Sequence, residues 1–118
     1  DGNWLLVTVE CASQGAHVSV SGPIIHLSEL AEWVVAAEQL HGNLDGEANL
    51  ICMEPELSVK LLLDKLGHML MTVAITPDDR SEKHCFRFEL DQSYLPEMIR
   101  GCRIVLDSYP IKSPLNKT

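Results

Sequence analysis

The chain has 118 residues, 46% of them apolar and 22% charged, with a formal net charge of −8, which fits a single folded domain with a sizeable core and argues against disorder. No apolar run approaches the ~20 residues that span a bilayer. Positive charge is too thinly spread for a phosphate-binding surface, which disfavours nucleic acid as a partner.

In chain order, "NWLLVTVECA" is rich in β-branched and apolar residues, and "AHVSVSG" alternates with Val18 and Val20 on one face. The intervening Ser13-Gln14-Gly15 reads as a hairpin turn. The period then changes in "PIIHLSELAEWVVAAEQLHG". Leu30, Trp33, Val34, Ala37 and Leu40 recur at helical spacing, with Ser28 as the expected N-cap and Gly42 just past the end. Glu29, Glu32 and Glu38 are expected on the opposite face as an acidic stripe. Asn43–Glu47 reads as a loop. Strands are expected in "ANLICME", in "ELSVKLLL" and, after the Asp64–Gly67 turn, in "HMLMTVAI", where Met69, Met71, Val73 and Ile75 share a face. "KHCFRFEL" follows with Phe86, Phe88 and Leu90 inward and Cys85, Arg87 and Glu89 outward. A last helix opens near Ser93, accepts Pro96 in its first turn and runs to about Asp107. Leu95, Met98, Ile99, Cys102 and Leu106 give it one apolar face.

The order ββαββββα, with short connections between consecutive strands, favours antiparallel pairing. The expectation is a two-layer α+β domain over residues 1–110, with a mainly antiparallel sheet of about six strands, two helices, and a C-terminal tail at 111–118. The chain begins at Asp1 rather than Met, so upstream sequence is expected to be missing or trimmed.

Cys11, Cys52, Cys85 and Cys102 are widely spaced with no C-x-x-C, which favours buried free thiols over disulfides or a zinc site. His17, His26, His41, His68 and His84 are scattered, with no i, i+4 pair for a metal. His84 and Cys85 are adjacent in a strand and point to opposite faces, so they cannot form a thiol–imidazole pair. No phosphate loop, G-x-S-x-G or H-E-x-x-H is present. Trp4 and Trp33 are expected in the core. The methionines of the fifth strand, with Met53 nearby, are read first as core and second as the lining of a pliable apolar pocket.

Glu54 and Glu56 flank Pro55. Paired carboxylates can perform glycosidase-type chemistry, but from opposite walls of a cleft. Proline inside a strand belongs at edges, bulges and strand starts. The triplet is therefore expected to separate two strands and to leave its acids at an exposed corner.

Charge is unevenly distributed. Residues 1–59 carry nine acids and no Lys or Arg, for −9; residues 60–118 carry nine basic and eight acidic residues, for +1. Such a split permits electrostatic steering of a basic partner.

Three patches, "DGNWLLVTVE" (Asp1–Glu10), "LSELAEWV" (Leu27–Val34) and "MEPELSVKL" (Met53–Leu61), occur in that order and at separations that resemble the WapI-like immunity family. Its members are small bacterial proteins that neutralise the toxic domain of a contact-dependent toxin. The chain is also similar to uncharacterised proteins carried on mobile bacterial gene cassettes. The resemblance implies a cytoplasmic, non-enzymatic binding protein without a cofactor, whose partner is a protein toxin, often a nuclease. Together with the charge split it nominates a continuous partner-binding surface of Glu29, Glu32 and Glu38, extended by Asp45, Glu47, Glu54 and Glu56. The alternative is a small-molecule binding module with a closed apolar pocket of roughly 300 Å³ or more between sheet and helices. A hydrolase would instead need convergent polar groups in a cleft.

Overall fold

A computed structural model describes residues 3–54, 56–78 and 82–109. Pro55 and the expected tail at 111–118 lie outside the described residues.

The first two runs form an antiparallel hairpin, β1 (Trp4–Ser13) with β2 (Ala16–His26), closed by Gln14-Gly15. Gly15 takes φ 86°, a left-handed conformation that costs a residue without Cβ little. β2 continues through Pro23 to His26, four residues beyond the expected end. Pro23 is tolerated there because this sheet has only two strands, and the register slips between Leu5 and Leu6, next to Pro23's partner.

α1 (Leu27–Asn43) buries Leu27, Leu30, Trp33, Val34, Ala37 and Leu40. Its N-cap is His26, not Ser28. The His26 Nδ1 accepts the Ser28 N–H at 3.2 Å, and Glu29 at N3 accepts the His26 N–H at 2.8 Å, which completes a capping box. The helix already includes Leu27, one of the most deeply buried side chains, so the cap stands two residues before Ser28. At the other end Gly42 stays inside the helix. Leu44 takes the left-handed C-cap conformation (φ 61°) and donates its N–H to the Leu40 carbonyl at 2.9 Å.

The remaining strands, β3 (Gly46–Ile51), β4 (Leu57–Leu63), β5 (His68–Asp78) and β6 (Glu82–Asp91), form an antiparallel sheet in the order β3-β4-β5-β6. The architecture is α+β with the expected element order. Its six strands divide into two sheets because α1 separates the hairpin in sequence from the other four and fills the space beside β3.

Strand alternation sends Ala48, Leu50, Leu57, Leu61, Leu63, Met69, Val73, Ile75 and Phe86 to one face, where all are buried. α1 packs on β3, the hairpin lies against β5 and β6, and α2 (Tyr94–Ser108) packs on α1 through Leu95, Met98, Ile99 and Cys102. The result is a plate of 49 × 38 × 19 Å, thin enough for only two layers. Each fully buried Leu or Ile contributes about 1.5–3 kcal/mol.

Two expectations about individual side chains change. Trp33 is in the core, but Trp4 is half-buried and meets the His26 ring edge-on at 5.2 Å. All four cysteines are free, yet only Cys11 is buried. Cys52 and Cys102 are half-buried, and Cys85 is exposed on the uncovered sheet face because its neighbour Phe86 takes the inward position.

Candidate functional site

β3 ends at Ile51 and β4 begins at Leu57, so Cys52–Glu56 turns the corner between them. Since Ala48 and Leu50 point inward, Ile51 points out, and it is 75% exposed. Met53, in the corner itself, is 78% exposed. Cys52, between them, is half-buried; burial first, then the nearby carboxylates of Glu29 and Glu56, push its thiol up to about 11.

Glu29 fastens this corner to α1. One carboxylate oxygen completes the helix cap, and the other accepts the Met53 N–H at 2.6 Å. Beyond the corner, Glu56 anchors the chain by accepting the Thr76 N–H on its backbone carbonyl at 2.9 Å. The Glu56 side chain is half-buried, and its Oε2 is buried with no hydrogen-bond partner among the described residues. Glu54 is also half-buried, and Glu32 stands exposed one turn further along α1.

The other nominated acids lie elsewhere. Glu38 is ion-paired with Arg103 of α2. Glu47 pairs with Lys60 across β3 and β4 at 3.5 Å. Asp45 is half-buried in the connection from α1 to β3. Glu29 and Glu38, nine positions apart, fall about 180° apart around the helix. They flank the buried stripe on opposite sides, so they do not form one stripe with Glu32. Asp45 and Glu47 lie at the far end of α1, about 25 Å from its start. The structure thus gathers Glu29, Glu54 and Glu56 at one corner, with Glu32 nearby on the helix, and places the remaining three apart.

His84 and Cys85 point to opposite faces of β6, and the His84 imidazole lies 3.4 Å from Glu82. Among the described residues, no three His, Cys, Asp or Glu side chains converge to hold a metal ion, and no helix is long and apolar enough to cross a membrane. A groove of about 740 Å³ lies at the opposite end of the sheet from the corner. It opens to solvent, is lined by strand residues and Tyr94, and includes Asp64, Glu89 and Asp91. It therefore differs from the closed apolar pocket between sheet and helices expected of a small-molecule module.

Ile51 and Met53 were hidden in the sequence by the unbroken run "NLICM". Strict alternation from the inward Ala48 and Leu50 identifies Ile51 as outward-facing, but nothing local signals that Met53 is exposed as well.

No curated protein and no solved structure matches the chain. Residues 1–110 match the family described as immunity protein WapI-like. Since that match covers nearly the whole sequence, the chain belongs to the WapI-like immunity protein family.

Proposed function

We propose that the protein neutralises a toxin domain by binding it, without catalysis, through the corner between β3 and β4 and the adjoining start of α1. Family membership supports a toxin as partner. The observation that carries the choice of surface is the exposed pair Ile51 and Met53 set among Glu29, Glu54 and Glu56. Exposed apolar anchors surrounded by polar groups are the usual composition of an energetically dominant interface patch. The carboxylates add steering toward a positive face and reject partners that lack one.

A basic partner suits this surface, and a nuclease domain offers such a face because it must bind phosphates. Covering that face with acid would block its substrate. Glu32 extends the acidic field along α1. Glu38, Asp45 and Glu47 contribute at the periphery, with Glu38 and Glu47 already engaged by Arg103 and Lys60. The reading places the protein in the cytoplasm, where such a toxin acts, with no cofactor.

The test is the association rate with a cognate toxin domain, measured at low salt. Glu32→Lys combined with Glu54→Lys should slow association by about tenfold or more. Met53→Ala should mainly speed dissociation. Rates unchanged in both variants would overturn the proposed surface.

A further inference from the structure

The four-stranded sheet ends on β6, and no described strand pairs with the outer edge of β6. We infer that this edge pairs with the same edge of a second copy of the chain, antiparallel and centred on Phe88. The two-fold dimer so formed goes beyond the toxin-binding reading and does not depend on it.

Gln92 donates its N–H to the Gly67 carbonyl at 3.1 Å, and on the other side of β5 Thr76 donates to the Glu56 carbonyl at 2.9 Å. Backbone groups alternate in direction along a strand, so the even-numbered residues of β6 bond to β5 and the odd-numbered ones point away. Cys85, Arg87, Glu89 and Asp91 therefore present their N–H and C=O groups at the outer edge. Such an edge is a template for another strand. The hairpin touches β6 but forms a separate sheet and does not supply that strand.

The side chains select a second copy as the partner. Arg87 and Glu89 stand exposed on the uncovered face, and neither has a hydrogen bond or ion pair among the described residues. A two-fold rotation about Phe88 sets Arg87 directly opposite Glu89 of the second copy, and Glu89 opposite its Arg87. These are also positions whose backbone groups point outward, so the ion pairs and the backbone bonds form together. Centring the pair on Arg87 or on Glu89 instead would set like charges directly opposite each other. A slip of one residue would turn an apolar row onto the open face. Charges on an edge strand commonly prevent pairing by repulsion. Here the two signs are placed to attract.

On the covered face the same rotation brings Phe88 against Phe88 and Leu90 against Phe86. Phe88 and Leu90 are only half-buried, and a second copy supplies the neighbour that the sheet edge lacks. The ion pairs fix the register, while the backbone bonds and apolar contacts supply most of the affinity. β3, which leads into the toxin-binding corner, is the opposite edge strand, about 14 Å away at the usual strand spacing. Both corners of the dimer therefore stay open.

Sedimentation equilibrium of the full chain tests the pairing. One strand-to-strand contact is small for a stable interface, so the dimer should be clearly populated at about 100 µM protein. Arg87→Glu and Glu89→Arg should each weaken association by about tenfold or more, because each opposes like charges. An equimolar mixture of the two variants should recover the dimer, since every opposed pair then has opposite signs. That recovery excludes misfolding as the cause of the loss. Lys83→Glu, opposite Ser93 of the second copy in this register, should leave the dimer intact. A monomeric parent would overturn the inference, as would a dimer that survives both single variants, fails to return in the mixture, or is lost in Lys83→Glu.

Discussion

Glu29 holds two backbone amides at once, the His26 N–H that begins α1 and the Met53 N–H at the β3–β4 corner, at 2.8 and 2.6 Å. A residue nominated for partner contact is thus also a structural tie between helix and sheet. Its carboxylate favours the helix N-terminus as well, where the helix dipole stabilises negative charge. Replacing it by Ala should destabilise the fold by about 1–3 kcal/mol, combining a lost cap with a lost charge-assisted bond. Glu32→Ala, on the exposed face of the same helix, should stay within about 0.5 kcal/mol of the parent. Urea unfolding of the two variants checks this, and equal midpoints would mean that Glu29 ties nothing.

The four free thiols should react in a fixed order. Cys85 is exposed on the open sheet face and Cys11 is buried in the hairpin, so alkylation should reach Cys85 first and Cys11 last. Cys52 is partly accessible but slow for an electrostatic reason. With its thiol near 11, roughly one molecule in a thousand carries the thiolate at about pH 8. Glu56→Gln removes one of the negative neighbours that raise it, so alkylation of Cys52 should accelerate while Cys85 is unaffected. Peptide mass spectrometry over a time course reads both rates.

Much of the fold follows from periodicity. The inward rows of β4 to β6 could be assigned from alternation alone, and the buried stripe of α1 from its 3.6-residue repeat, since burying an apolar face dominates both. What escaped the sequence depended on packing and pairing that only the fold brings about. Ser28 looks like the better cap than His26 until Leu27 is seen to need burial. Gly42 looks like a stop until Leu44 takes the left-handed turn. The acids of the first half looked unbalanced because Arg103, which meets Glu38, lies far along the chain, and Lys60, which meets Glu47, comes just after the first half on the next strand. The corner was legible as a bend, but its apolar anchors were not.

Leu44 is the described non-glycine residue with positive φ, and its side chain is 48% exposed. Left-handed backbone costs an ordinary residue about 1–2 kcal/mol, and glycine largely escapes this. Leu44→Gly should therefore stabilise the protein by about 0.5–1 kcal/mol, the strain relief being offset in part by lost apolar contact and a more flexible unfolded chain. A rise in thermal midpoint supports the cap assignment. A fall would show that the leucine side chain contributes more to packing than its backbone costs.

The turn between β4 and β5 should give the fold a dependence on acid. The Asp64 carboxyl is held below its ordinary value chiefly by the His68 N–H, with the Leu66 N–H and the His68 imidazole adding to the effect. A carboxyl with a lowered folded-state value binds its proton less readily in the native state than in the unfolded chain. Its contribution is complete above the unfolded value, about pH 4, and is lost as pH falls through the lower folded value. Asp64→Asn keeps an oxygen for the two backbone amides but removes the charge. The variant should be less stable than the parent at neutral pH, and the gap should close as pH falls below about 4 and through the lower folded-state value. Urea midpoints across that range decide the matter, because a gap that persists undiminished at the acid end would trace the loss to altered turn geometry and not to ionisation.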